Sequence, residues 1–220
     1  MLDQLKLEIE KQSILKHPFY QLWNEGKLTT DALRVYAKQY FHFVDEFPHL
    51  LETMLENCEN PVIGSMIAEN LAEERKHPAL WLAFAESLGL AKKDIISSEP
   101  LPETAESLQT LRTLMRDSTL CAAASLLTYE AQVPEVAKQK MEGLMKFYNI
   151  ETPEALEFFK VHMSVDLDHV KVWEQILRRA GTDPQVLEAA KKALTAQWKL
   201  LDGVLRVSQP NMTCGEQPIN

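Results

Sequence analysis

The sequence predicts an all-α, single-domain bundle of about seven or eight helices. Three observations carry this. Apolar residues recur at steps of three and four through most of the 220 residues. Glycine occurs only seven times, and the period-two alternation of strands is nearly missing. The length suits one substantial core, and no shift of composition divides it.

A first helix is expected over residues 3–15, and Pro18 can open a second, short one. Thr29, Thr30 and Asp31 offer an N-cap for a long helix carrying Leu33, Tyr36, Tyr40, Phe43, Phe47 and Leu51, kinked at Pro48. Further helices are expected over 61–88, before Gly89, over 103–148 with a break near Asp117, over 153–180, and from Pro184 to about Arg206. Residues 97–102 read as a loop. The helical domain then covers 1–207, and the polar stretch 208–220, with two prolines, reads as a flexible tail.

A hydrophobic share of 45% and a charged share of 25% are ordinary for a globular chain. The net charge of −9 argues against partnership with nucleic acid or an anionic membrane. No apolar run reaches membrane-spanning length, and the opening MLDQLKLEIEKQ reads as an amphipathic helix, not a signal peptide. Cys58, Cys121 and Cys214 are scattered and odd in number, so no disulfide framework is expected and the cytoplasm is the expected compartment.

Polar residues on an otherwise apolar face carry the functional signal. In KVHMSVDLDHVKVWEQIL, His162, Asp166 and His169 fall at i, i+4 and i+7, beside Val165, Val170, Trp173 and Leu177. Buried there, they need satisfaction, either as a hydrogen-bonded ladder or as ligands to a divalent metal. In AENLAEERKHPALWLAF, Glu74 and His77 stand at i and i+3 and can reach one point, the Glu-x-x-His pattern of carboxylate-bridged metal bundles. Glu69 and Glu73 read as solvated. Glu130, in LLTYEAQVPEVAKQKMEGLMKF, lies near the stripe of Val133, Ala137, Leu144 and Phe147. Lys140 falls in that same stripe, where it either snorkels outward or is a buried amine near a reaction centre. Three carboxylates with three imidazoles, and no cysteine among them, suit two iron or manganese ions better than structural zinc.

With these motifs in view, the chain resembles the haem-oxygenase-like superfamily of TenA and the pyrroloquinoline-quinone biosynthesis protein C, most narrowly the Chlamydia protein associating with death domains and its bacterial relatives. The resemblance runs from HPFYQLWNEGKLTTDALRVYAKQYFHFVDEFPHLL through NLAEE, HPALWLAF and LLTYEAQVPEVAKQKMEGL to HMSVDLDHVKVW. It implies Glu74, His77, Glu130, His162, Asp166 and His169 as ligands of two iron ions, or of manganese with iron, and dioxygen with an external electron donor as co-reactants. It further implies para-aminobenzoate formation for folate, with Tyr20 of HPFY as the sacrificed ring and Lys140 as the amino donor. Tyr36, Tyr40 and Tyr129 become candidates for radical relay or site lining, against a plain reading as core aromatics. A homodimer is the expected assembly. The Glu-to-His spacing is about one helical turn shorter than is usual in that subgroup, which leaves Glu73 beside Glu74 as first ligand. Two other readings stay open: a di-iron oxidase of an external fatty acid or amino acid, and a metal-independent binding protein.

Overall fold

The computed structural model describes residues 1–163, 165–178 and 181–209, less the side chains of residues 165–167. Among these, every regular element is a helix. They are α1 (Leu2–Lys11), α2 (Pro18–Asn24), α3 (Thr30–Glu56), α4 (Pro61–Glu74), α5 (His77–Ser87), α6 (Lys92–Ile96), α7 (Pro102–Met115), α8 (Thr119–Glu130), α9 (Val133–Tyr148), α10 (Pro153–His162), α11 (Val165–Leu177) and α12 (Pro184–Ser208), with a 3-10 turn at Ile14–Lys16. None is long and apolar enough to cross a membrane. Most of the expected tail, from residue 210 onward and including Cys214, lies outside the described residues.

The all-α expectation holds, while the expected long helices are divided. A proline removes the amide hydrogen that would reach the carbonyl four residues back, and its ring collides with that carbonyl. Pro78 stands four residues after Glu74, and α4 ends at Glu74. Pro134 stands four residues after Glu130, and α8 ends at Glu130. The stretch 153–180 is also two helices, so His162 closes α10 while His169 belongs to α11. The i, i+4, i+7 alignment along a single helix is therefore corrected: two helices bring the two imidazoles inward. By contrast, α3 continues through Pro48, embedded among buried Val44, Phe47, Leu50 and Leu51. The opening helix stops at Lys11 rather than running on to residue 15, giving way to the 3-10 turn capped by Ser13.

The caps follow the chemistry of their residues. Thr29 accepts from the Ala32 amide to start α3, and Ser118 accepts from Cys121 to start α8. α12 lies against α8, α7 and α3; α10 against α5 and α9; and α11 against α8. Trp23, Trp81, Trp173, Tyr20, Tyr36, Phe19, Phe84 and Phe159 are among the largest side chains fully enclosed between them. One glycine sets a spacing that matters for function. A Cβ at Gly143 of α9 would stand 2.7 Å from the Trp23 ring nitrogen. Its absence lets Trp23 Nε1 donate to the Lys140 carbonyl at 3.2 Å, which seats α2 and Tyr20 beside α9 and Lys140.

Candidate metal centre and the buried tyrosine–lysine cluster

Helix ends converge on one buried point. Glu74 and Glu130 are the last residues of α4 and α8, His162 is the last of α10, and His77 is the first of α5. Each is buried, as is His169 within α11. The ligand atoms of Glu74, His77 and His162 all lie within 4.8 Å of one another, and so do those of Glu74, Glu130 and His169. Glu74 belongs to both groups. Its Oε2 is 2.6 Å from His77 Nδ1, and its Oε1 is 3.6 Å from His169 Nδ1. Glu130 Oε2 also stands 3.6 Å from His169 Nδ1, and it accepts from Trp173 Nε1 at 2.5 Å.

Neighbouring groups orient the imidazoles as they would in a metal site. His162 Nδ1 donates to the Phe158 carbonyl at 2.6 Å, so its Nε2 carries a lone pair. Burial, reinforced by the neighbouring His77, pushes the His162 pKa down to about 3 and keeps the ring neutral. His169 Nε2 lies 3.0 Å from Glu73 Oε2, which turns Nδ1 towards the two glutamates. Of the two adjacent glutamates, Glu74 is thus the inward one, while Glu73 is half exposed and holds His169 from outside. Glu69 is exposed, as expected. Two carboxylates and three imidazoles are buried together there, a donor set that a cation at its centre would satisfy. A pair of divalent first-row ions fits this oxygen and nitrogen donor set. The backbone of Asp166 is in α11, and its side chain lies outside the described residues.

Beside this centre lies a second buried cluster. Lys140 does not snorkel. It is 3% exposed, and its ammonium nitrogen donates to Tyr36 Oη at 2.6 Å. Tyr36 Oη is in turn 3.1 Å from Tyr20 Oη. Lys140 Nζ stands 5.2 Å from the Tyr20 ring centre, 5.1 Å from that of Tyr36 and 4.7 Å from that of Tyr40. Burial drives the lysine pKa down to about 7. Burial also raises the Tyr20 and Tyr36 phenols, so both stay protonated at neutral pH. Tyr129 lies elsewhere: it stacks on Phe43 with ring centres 4.5 Å apart, and the pair borders both a cavity beside Tyr20 and one beside Glu74 and His162.

The two clusters are joined by aromatic rings that the sequence motifs do not reveal. Trp81 lies 5.7 Å from Tyr36 and 4.8 Å from Phe158, and Phe158 lies 4.1 Å from His162, all between ring centres. Spacing offered a signal: Trp81 follows His77 by four residues, and Phe158 precedes His162 by four.

Residues 4–205 match the model of the TENA/THI-4/PQQC family. The chain belongs to this family. Among its TENA/THI-4/PQQC relatives, the 4-aminobenzoate synthase of Nitrosomonas europaea is 36% identical, over 98% of this chain and 95% of the relative. The 4-aminobenzoate synthase of Chlamydia muridarum is 30% identical, over 93% of this chain and 89% of the relative. Among solved structures, a TenA homologue from Pseudomonas syringae superposes with a TM-score of 0.80 at 15% identity, covering 93% of this chain and 92% of its own. A domain with a haem-oxygenase-like fold from Shewanella denitrificans gives 0.79 at 19% identity, covering 100% and 99%. The fold of this chain is therefore haem-oxygenase-like.

Proposed function

We propose that this chain is an oxygenase that makes 4-aminobenzoate from its own Tyr20, with Lys140 as the amino donor. The observation that carries the reading is the buried chain Tyr20 Oη, Tyr36 Oη and Lys140 Nζ, which holds the amine 5.2 Å from the centre of the tyrosine ring. The product's carboxyl and amino groups are para to each other, as are Cβ and Oη of tyrosine. Tyrosine therefore supplies the ring with its substitution pattern in place. An amine delivers nitrogen only through a lone pair, and burial, which drives the Lys140 pKa down to about 7, favours the neutral amine that carries one.

Glu74, His77, Glu130, His162, Asp166 and His169 would hold two iron ions, or manganese with iron. That pair would supply dioxygen activation, with electrons from an external reductant. The chain's own residues do the rest. Glu74 spans both ligand groups, Glu73 fixes the His169 ring, and the aromatic wall of Phe43, Phe47, Tyr129 and Phe158 keeps water from the centre. Tyr36 and Tyr40 confine the lysine against the Tyr20 ring. Cavity size also favours an internal substrate. The spaces bordering Tyr20 and the carboxylate–imidazole centre each have room for about one molecule the size of water or dioxygen, and none for a fatty acid. A cytoplasmic homodimer with a single catalytic domain over 1–207 completes the proposal.

The test is isotopic. Protein grown on ring-labelled tyrosine is given ferrous iron, reductant and oxygen in an excess of unlabelled free tyrosine. Labelled 4-aminobenzoate is expected, and unlabelled product would show an external source.

A further inference from the structure

We propose that His17 and Asp202 form a clasp that positions Tyr20 against the lysine cluster. The inference rests on the reading of Tyr20 as ring donor. His17 is wholly buried, immediately ahead of α2. The Phe19 amide donates to its Nδ1 at 3.1 Å, so that nitrogen carries the lone pair. The ring proton is then on Nε2, which donates to Asp202 Oδ1 of α12 at 3.1 Å. The His17 carbonyl accepts from the amide of Tyr20 itself at 3.0 Å and from that of Gln21 at 3.2 Å. Trp198, one turn before Asp202, meets the imidazole edge-on with centres 5.0 Å apart.

A helix start needs only an acceptor, which asparagine, aspartate or serine supplies better. The second ring nitrogen does something a cap does not require: it ties the first turn of α2 to another helix. That stretch of α12 also supplies Gln197, Leu200 and Leu201 to the cavity bordering Tyr20. Asp202 of the clasp and the wall that faces the tyrosine thus lie on one stretch of α12. Precision matters because the Tyr20–Tyr36 contact, 3.1 Å, is already long for a hydroxyl–hydroxyl hydrogen bond, and a shift of a few tenths of an ångström breaks it.

Asp202 can be changed without touching the core, since its side chain is 47% exposed. Asp202→Ala removes the acceptor, whereas Asp202→Asn keeps an oxygen for the Nε2 hydrogen. His17→Asn keeps a cap and loses the reach to α12. Metal-free protein carrying fluorotyrosine at its five tyrosines gives fluorine spectra in which Tyr20→Phe assigns the Tyr20 line. Asp202→Ala and His17→Asn are expected to move the Tyr20 and Tyr36 lines and leave that of Tyr148 in place, while Asp202→Asn matches the unchanged protein. With iron, reductant and oxygen, the first two variants should form product about tenfold more slowly at unchanged metal content, and Asp202→Asn at the normal rate. A wild-type spectrum and rate for Asp202→Ala would overturn the clasp, as would an Asp202→Asn variant as slow as Asp202→Ala. If Tyr20→Phe still yields product, it is the ring-donor reading that fails, and the fluorine result stands apart from it.

Discussion

Lys140 is held in conflict with its own chemistry. Burial disfavours the ammonium, so the folded chain releases this proton near pH 7, whereas an unfolded lysine releases it near 10.5. Between those values the unfolded chain binds the additional proton, so stability should rise with pH across that window and fall as pH drops towards 7. Lys140→Met should flatten that slope in urea titrations run at several pH values. The same titration governs reactivity, since product formation in single turnover should rise through about pH 7 and then level off. Lys140→Arg should bind metal and make no product, because guanidinium does not surrender its proton or its nitrogen. Tyr36→Phe probes the shared hydroxyl. It leaves the Tyr20 hydroxyl and the Lys140 amine buried without their common partner, at a cost of about 1–3 kcal/mol, with product formation slowed at least about tenfold. Much of this scale was legible from residue type. Lys140 stood out as a cation on an apolar stripe, and the glutamates and histidines as polar groups on inward faces. Trp81 and Phe158 did not stand out, because an aromatic ring on an apolar face looks the same in the sequence whether it fills a core or bridges two sites.

Helix ends are the organising feature at the next scale. Periodicity reports which face of a helix is apolar and is blind to where the helix stops, so the stretches 61–88 and 103–148 read as longer elements than they are. Pro78 and Pro134 held the missing information, each four residues beyond a glutamate whose carbonyl it removes from the helical ladder. The chain turns at those points, which delivers Glu74 and Glu130 to the same centre from two directions. Pro78→Ala and Pro134→Ala should therefore let each helix run on past its glutamate. The expected result is equal or greater helicity by circular dichroism together with metal affinity weakened about tenfold or more by calorimetry. Retained affinity would mean that the surrounding packing, not the proline, fixes the turn. Helix starts were easier to read: Thr29 and Pro184 mark true ones because their chemistry is local.

At the scale of the whole molecule, one core serves both stability and site. Metal that binds only the folded chain must stabilise it. At a free concentration about a hundredfold above Kd, each ion adds about 2.7 kcal/mol. For a chain of this size that is a rise in Tm of roughly 5–10 °C, measurable by calorimetry with and without saturating ferrous iron. Equal melting temperatures would argue against a buried centre. The complete enclosure of Tyr20, between Phe19, Tyr36 and the foot of α12, has a further cost. A ring consumed there cannot be replaced by diffusion, and the hollow left behind is of the kind whose creation costs about 3–5 kcal/mol in other cores. A protein that spends this residue is a reagent, used once. On the proposed reading, each chain would yield product once, and the spent copy, loosened where it has reacted, should be cleaved faster by added protease than the unreacted one.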